Sequence, residues 1–435
     1  MKIVIIGAGQ GGLQAARTFA SGGADISLFE KESRENLCYD WADDAAMSVF
    51  SDLKIPLPEG KYCHGECAAL VAPFSHKPMQ VEVPVEERDW SIERRALSQV
   101  LVGLAEDAGA KLNFSTPVDS LLIENCKVRG IIVGGEKIYA DLVVDSSGVL
   151  SPFREFLPKD YKIQAMPAPD EVFHVYRAIF EPAPGVEPPV EFTKKVYLKH
   201  LGESGISWCF LEPDGNVNVL IGRTVRLEKG TLDNALNKLR EENPIIGTKI
   251  VRGETTATIP IRYTLPRMVG EGYAAVGDAA FMTIPLIGSG IANSLRAGDM
   301  LASIVLKEKS TGITTLWRYQ AEYYKKIAAG NVCVDIIKRM LLGSDPNLLR
   351  LLFDNGVIDK EDMQSISSGK ALTMTPKKIL MKIIKGWRCL GLLIKLKNAV
   401  ATGEKAEAFA RMIPEYYDET AINAWQKTLD GFFGR

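Results

Sequence analysis

Lys2-Ile3-Val4-Ile5-Ile6 runs directly into Gly7-Ala8-Gly9-Gln10-Gly11-Gly12, and that junction decides the fold. A short, unbroken apolar run is what a strand buried on both faces of a parallel sheet requires. The glycines fit G-x-G-x-x-G: Gly7 permits the tight turn, Gly9 lets a pyrophosphate approach the backbone, and Gly12 allows close helix–strand packing. The helix that follows, with Leu13, Ala16 and Phe19 in its apolar pattern, offers its N-terminal N–H groups to phosphate. A second strand over residues 25–30 ends at Glu30, 18 residues beyond Gly12, where a carboxylate can accept bonds from adenosine ribose hydroxyls. Strand, glycine turn, helix, strand and terminal acid together predict a βαβ dinucleotide-binding start.

A second signal lies far along the chain and selects FAD over NAD. Ala274-Ala275-Val276-Gly277-Asp278-Ala279-Ala280 is an apolar strand ending in Gly-Asp, followed by Pro285, Gly288, Gly290 and Ile291 at the start of another helix. An acid at such a strand end can bond a ribityl chain. The glycines let a helix N-terminus come against a planar ring, and its dipole favours the negative charge a flavin gains on reduction.

Between these signals, residues 91–108 read as a helix with Ser91 as N-cap, and KLNF, SLLIE, VRGIIVGGEKIYA and DLVVD read as successive strands. A proline-rich stretch at 166–190 leads to four strands, VFHVYRAIF, KVYLKHL, GISWCFLE and NVNVLIGR, the last two joined through Pro-Asp-Gly. The expected architecture is α/β and α+β: a doubly wound, Rossmann-type FAD domain (1–50, 85–160 and 253–310) with an inserted antiparallel-sheet substrate domain (51–84 and 161–252). A helical C-terminal region (311–435) completes it.

Composition is that of a globular protein: 46% apolar, 24% charged and net charge −2, with nothing that favours nucleic acid. The seven cysteines are scattered with no secretory signal upstream, which reads as reduced thiols in a cytoplasmic setting. Cys63-His64-Gly65-Glu66-Cys67 lacks a second ligand pair at zinc spacing, so no metal site is expected. No second G-x-G-x-x-G follows a strand, so the reductant must dock transiently, as NAD(P)H, or be an electron-carrier protein.

These motifs resemble the geranylgeranyl reductase family, which shares the p-hydroxybenzoate-hydroxylase-like flavoprotein fold, over most of residues 1–370. GAGQGG and the Phe29-Glu30-Lys31 strand end are similar to the family's opening. Ile92-Glu93-Arg94 stands where the family has a strand-to-helix arginine that helps hold the cofactor. DLVVDSSGVLSPFR (141–154), containing Gly148, resembles the acid–glycine–serine–arginine segment of the wider class. The resemblance implies Gly7, Gly9, Gly12, Glu30, Lys31, Arg94, Gly148, Gly277, Asp278, Pro285, Gly288, Gly290 and Ile291 as cofactor contacts.

Gly205-Ile206-Ser207-Trp208-Cys209-Phe210-Leu211 is similar to the family's G-Y-x-W-x-F-P cavity strand, with Ile206 for Tyr and Leu211 for Pro. Trp208 and Phe210 are therefore expected to wall the substrate cavity. Cys38-Tyr39-Asp40-Trp41 falls where archaeal lipid-reducing members carry an active-site cysteine, with only Cys38 matching; Cys38 and Tyr39 are the expected proton sources. The implied reaction is saturation of carbon–carbon double bonds in a prenyl chain. A flavin monooxygenase or halogenase acting on a small aromatic, and a non-catalytic flavin electron relay, stand as alternatives.

One stretch stands apart from the motifs. Residues 363–403 carry eight bases and no acid, leaving the rest of a −2 chain acidic. If residues 377–397 are helical, Leu380, Ile383, Ile384, Trp387, Leu390 and Ile394 share one face. Such a helix either docks on an anionic membrane surface, at the inner face of a membrane, or packs its stripe on the core. A ferredoxin-like donor is a further expected partner.

Overall fold

The computed structural model describes residues 1–65, 68–81, 83–189, 194–359, 381–382, 385 and 387–434. Its first sheet has six strands in the order Val269–Gly270, Tyr273–Ala275, Leu142–Asp145, Lys2–Ile6, Asp25–Phe29, Lys111–Asn113. All neighbours are parallel except the antiparallel edge pair Val269–Gly270 and Tyr273–Ala275. The opening strand is central, and Ile3 to Ile6 are buried, which is why that run contains no polar residue. Later strands are laid on both sides of Lys2–Ile6, so the sheet switches direction there. The crevice beyond the carboxyl ends of the strands is where such a sheet binds its ligand.

Helices Gln10–Ser21 and Ile291–Glu308 cross on one face of this sheet. A Cβ on Gly298 would lie 2.1 Å from the carbonyl oxygen of Gly11, so the crossing exists only because that position is glycine. Helix Arg94–Asp107 also packs on Gln10–Ser21. It starts later than the sequence suggests: Trp90–Glu93 is a strand paired with Ala42–Ala45 and Tyr62–His64, and Glu93, not Ser91, precedes the first turn. The period-2 pairing of Trp90 and Ile92 outcompetes the helical option for these four residues.

The second sheet has seven strands in the order Ile246–Pro260, Val172–Pro182, Val217–Arg223, Gly205–Leu211, Lys194–Leu198, Ala68–Val71, Pro78–Gln80. The Pro-Asp-Gly hairpin forms as its residues demand, with Gly215 at φ +86°. Strand alternation gives the sheet two faces. Ser207 and Cys209 point to the side where Val219, Ile221, Ala235 and Leu239 form a core under helix Lys229–Glu242. Ile206 and Trp208 join Phe173, Val175, Leu220, Ile259, Ile261 and Leu342 on the other. Strand Ile246–Pro260 continues across residue 253, and we propose Pro260 as the limit of the substrate domain.

Downstream, Ile313–Tyr323, Ala329–Leu342, Pro346–Asp354, Leu390–Arg411 and Glu419–Gly431 are helical. The basic stretch is not one helix: a 3-10 turn at Trp387–Cys389 interrupts it, and Leu380, Ile383 and Ile384 of the expected stripe, with residues 377–379 and 386, lie outside the described residues. The break lets Cys389 and Leu392 bury against Leu349, Leu352 and Val357, while Met381, Leu390 and Ile394 stay exposed.

Candidate active site

The glycine turn is shaped by close approach. Gly7 has φ +91°, and a Cβ there would meet the Ser146 carbonyl oxygen at 2.6 Å. A Cβ on Gly12 would meet the Gly7 oxygen at 2.5 Å, and the Gly12 N–H donates to Ser146 Oγ at 3.0 Å. Helix Gln10–Ser21 begins after Gly9 with no side-chain cap, so of its first-turn N–H groups ahead of Leu13 only that of Gly12 has a side-chain acceptor among the described residues. Glu30 is buried beside this loop. Its carboxylate accepts from the Ala8 N–H at 2.7 Å and the Glu32 N–H at 2.9 Å, so it braces the turn while each oxygen retains a free lone pair. Lys31 is the outlier among the expected contacts: it extends into solvent, 3.8 Å from Glu32.

The segment after Leu142–Asp145 is held by a buried carboxylate. Asp145 accepts from the N–H and Oγ of Ser147, from Ser151 Oγ and from Tyr273 Oη. Gly148, at φ +97°, has open space where a side chain would be. Arg154 then ties this loop to the second motif, donating to the carbonyls of Val149, Ala165 and Ala279.

At the second motif Gly277 turns at φ +67° and presents Asp278, whose carboxylate has no hydrogen-bond donor among the described residues. Burial pushes its pKa up, with the Arg94 charge opposing. Gly290 lies over it: a Cβ there would be 3.4 Å from Asp278 Oδ1 and 2.9 Å from Thr283 Cγ2. Ile284 and Ser289 close the intervening turn, which carries Pro285 and Gly288, and helix Ile291–Glu308 starts at Gly290, again without a side-chain cap. Two uncapped helix N-termini, an unpartnered carboxylate and an open glycine therefore face one crevice. That donor and acceptor set fits a dinucleotide carrying a polyol chain and a planar ring.

Arg94 connects this crevice to the rest of the site. Its Nε–H donates to Cys38 Sγ at 3.2 Å, Nη1 to Asp43 Oδ2 at 2.9 Å and Nη2 to Gln10 Oε1 at 3.3 Å. Gln10 Nε2 also donates to Cys38 Sγ, at 3.5 Å. Cys38 sits at φ +69°, a left-handed backbone that turns the thiol inward. Burial works to raise its pKa, but the Arg94 charge and these hydrogen bonds outweigh burial and hold the thiol below its ordinary value. Tyr39 goes the other way, burial pushing it up; its ring stacks on Trp41 at 4.5 Å.

Trp208 and Phe210 share a face of their strand, but charged groups cover part of it. The Arg177 guanidinium lies over both the Trp41 and Trp208 rings, 5.1 and 5.4 Å from their centres. The Lys194 ammonium sits over Trp208 at 4.9 Å and Phe210 at 5.2 Å, paired with Asp44 at 3.1 Å. Beyond this charged patch the wall is apolar, and Gly288 approaches it, its notional Cβ 3.4 Å from Ile259 Cγ2. The structure thus brings Cys38, Tyr39, Arg94, Asp278 and Trp208 into one connected set, with Phe210 at its edge. Sequence reasoning missed Gln10, Asp43, Arg177 and Lys194. The signal for Arg177 was available: an arginine inside the apolar run VFHVYRAIF is a buried charge in search of a partner.

Of Cys63-His64-Gly65-Glu66-Cys67, where no metal site is expected, Glu66 and Cys67 lie outside the described residues, and the His64 ring packs on Trp90 at 4.2 Å. Among the described residues no group of three His, Cys, Asp or Glu side chains could hold a metal ion. No helix among them is long and apolar enough to cross a membrane.

Comparison with known proteins converges on one group. No family profile matches the chain. Digeranylgeranylglycerophospholipid reductase 2 of Methanopyrus kandleri is 23% identical over 392 residues, covering 87% of this chain and 96% of that protein. The digeranylgeranylglycerophospholipid reductase of Methanothrix thermoacetophila is 27% identical over 334 residues, 75% of this chain and 83% of its own length. The crystal structure of a geranylgeranyl bacteriochlorophyll reductase-like protein from Thermoplasma acidophilum superposes with a TM-score of 0.73 at 20% identity, covering 92% of this chain and 98% of that one. A flavin-dependent brominase matches less well, with a TM-score of 0.61 at 14% identity over 93% of this chain and 100% of its own. With its opening βαβ unit, its Gly-Asp turn and these relatives spanning most of its length, the chain is an oxidoreductase that resembles the geranylgeranyl reductases.

Proposed function

We propose that this protein holds FAD and saturates carbon–carbon double bonds of a polyprenyl chain, in a geranylgeranyl-type lipid, quinone or diphosphate. The observation that carries the reading is the junction of an apolar sheet face, through Trp208 and Arg177, with a cysteine–arginine pair beside the unpartnered Asp278. Names of relatives that reduce digeranylgeranyl lipids support the substrate class.

In this reading Gly7, Gly9, Gly12 and the first helix N-terminus take the pyrophosphate, Glu30 the adenosine ribose, Asp278 the ribityl chain, and Pro285 to Ile291 the ring. Bound and reduced, FAD supplies a hydride to one alkene carbon. The chain's own residues do the rest. An isolated alkene accepts hydride poorly, so Trp208, Ile206, Ile259 and Leu342 must orient it and keep water away. The Cys38 Sγ–H gives a proton to the other carbon, and Arg94 Nε–H and Gln10 Nε2–H hold the thiolate left behind. Tyr39, its pKa raised by burial, keeps its proton. NAD(P)H docking transiently, or a ferredoxin-like carrier, returns the electrons.

A prenyl lipid reaches such a site from a bilayer. Lys385, Arg388, Lys395 and Lys397 are exposed around Met381, Leu390 and Ile394, and this basic, apolar surface suits peripheral attachment to anionic lipid. The deciding experiment is anaerobic incubation of flavin-loaded, chemically reduced protein with digeranylgeranyl lipid, read by mass spectrometry. Gain of two hydrogens per bond supports the proposal. Consumption of substrate only with oxygen would transfer the reading to the monooxygenase or halogenase class, and flavin that never turns over would leave an electron relay.

A further inference from the structure

Arg177 reaches from its own strand to the strand Ala42–Ala45, which follows the Cys38 loop. It comes from the second sheet, with its side chain only 4% exposed. Nη1 donates to Asp43 Oδ1 at 2.6 Å, Nη2 to the Ala42 carbonyl at 2.8 Å and Nε to Asn218 Oδ1 at 3.0 Å. Its guanidinium carbon lies over both the Trp41 and the Trp208 ring. Asp43 is shared: its other oxygen accepts from Arg94 Nη1 at 2.9 Å and from Trp41 Nε1 at 3.2 Å. One carboxylate thus joins an arginine of the substrate sheet to the arginine whose Nε–H points at Cys38 Sγ.

We propose that Arg177 is a positioning residue for the proton-donating thiol: it pins Asp43, and Asp43 in turn fixes the orientation in which Arg94 faces Cys38. The inference rests on the reading of Cys38 as proton source. The guanidinium fork is essential to it, because Asp43, Ala42 and Asn218 are engaged together in one plane, which an ammonium cannot do. The stacking on Trp208 adds a consequence. Substrate that displaces Trp208 moves Arg177 as well, so occupancy of the apolar wall is transmitted to the thiol through two carboxylate–arginine bonds.

The charged and titratable groups around the thiol are few. Arg94 faces it from the helix Arg94–Asp107, and Asp43 from its strand. Tyr39 is its neighbour in the loop, and Asp278 reaches Arg94 from the Gly-Asp turn. Arg177 itself acts on the thiol only through Asp43. Loss of Arg177 frees Asp43 to turn wholly toward Arg94, drawing the guanidinium from the sulfur and returning the thiol toward its ordinary pKa.

The test is an NMR titration of flavin-loaded protein containing 13Cβ-labelled cysteine, with the Cys38 resonance assigned by its loss in Cys38→Ser. Arg177→Met and Arg177→Lys are both expected to move its midpoint up by about one pH unit, with the flavin absorbance unchanged. A wild-type midpoint in Arg177→Lys would show that charge alone suffices and would overturn the positioning role. If Arg177→Met does not fold, Arg177→Lys carries the test by itself. Turnover by Cys38→Ser separates the two ideas: full activity there would sink the proton-source reading, while the titration still judges whether Arg177 sets the thiol.

Discussion

The two halves of this molecule are held in shape by different means. In the nucleotide-binding half the decisive contacts are backbone against backbone: Gly7 against Ser146, Gly12 against Gly7, and Gly298 against Gly11. Where the substrate half meets it they are side-chain charges far apart in sequence: Arg177 with Asp43, Lys194 with Asp44, and Arg252 bridging Glu93 and Glu212. The first kind of contact tolerates no added atom but needs no counter-ion. The second tolerates changes of shape but fails when a partner is removed, since the surviving charge is left buried.

The comparison breaks most readily at Gly298. Gly298→Ala gains helix propensity of about 0.5–1 kcal/mol, yet its new carbon would collide with a backbone oxygen. A net loss of about 1–3 kcal/mol is expected from overpacking, read as a lower denaturant midpoint. An unchanged midpoint would mean that the two helices can separate, and that backbone closeness is not what fixes this half.

Asp278 tests the cofactor end from the opposite direction. Asp278→Asn should weaken flavin retention by about 1.5–3 kcal/mol, the worth of a bond to a charged acceptor. The same change should stabilise the flavin-free protein. Burial raises the Asp278 pKa in the folded state, so its ionisation costs stability as pH rises from the unfolded value of about 3.9 through the folded one. That cost builds up as pH rises above the unfolded value, and the neutral amide removes it. Thermal melts of flavin-free protein at neutral pH should show the variant higher; a lower melt would contradict the assignment.

In the substrate half, Trp208→Ala should slow turnover about tenfold, equivalent to about 1.4 kcal/mol, with flavin retention as in wild type. Loss of flavin in parallel would mean that the two halves do not divide the work as described. The smallest effect belongs to Glu419, a peripheral case of the side-chain strategy, where Arg267 and Lys162 hold the C-terminal helix. Despite partial burial, those two bases bring its pKa from 4.5 to about 2. Its contribution is present above pH 4.5 and lost as pH falls toward 2. Glu419→Gln should therefore flatten the stability profile in that window and leave activity alone.

The same division explains what could be read in advance. The opening βαβ unit, the Gly-Asp turn and the Pro-Asp-Gly hairpin were legible because each is a local arrangement of glycines, acids and apolar runs. The start of the Arg94 helix was misplaced because strand pairing of Trp90 and Ile92 with residues far away in sequence overrides local helix preference. The single basic helix expected over residues 377–397 gives way to a turn at Trp387–Cys389, since burying Cys389 and Leu392 requires a change of direction that periodicity cannot foresee.

The sequence by itself determined that this chain has a dinucleotide-binding sheet with a second flavin-type motif, because turns and close approaches need particular residues at fixed short spacings. It also placed Arg94 and Cys38 among the residues to watch. Only the tertiary structure decided that Cys38 lies on Arg94, that Asp43 joins Arg94 to Arg177, and that Trp208 is covered by charge as well as lining an apolar wall. The pairing of Asp43 with Arg177 spans 134 residues. Charges attract across any such separation, so their spacing in sequence carries no mark of the partner, and folding alone selects it.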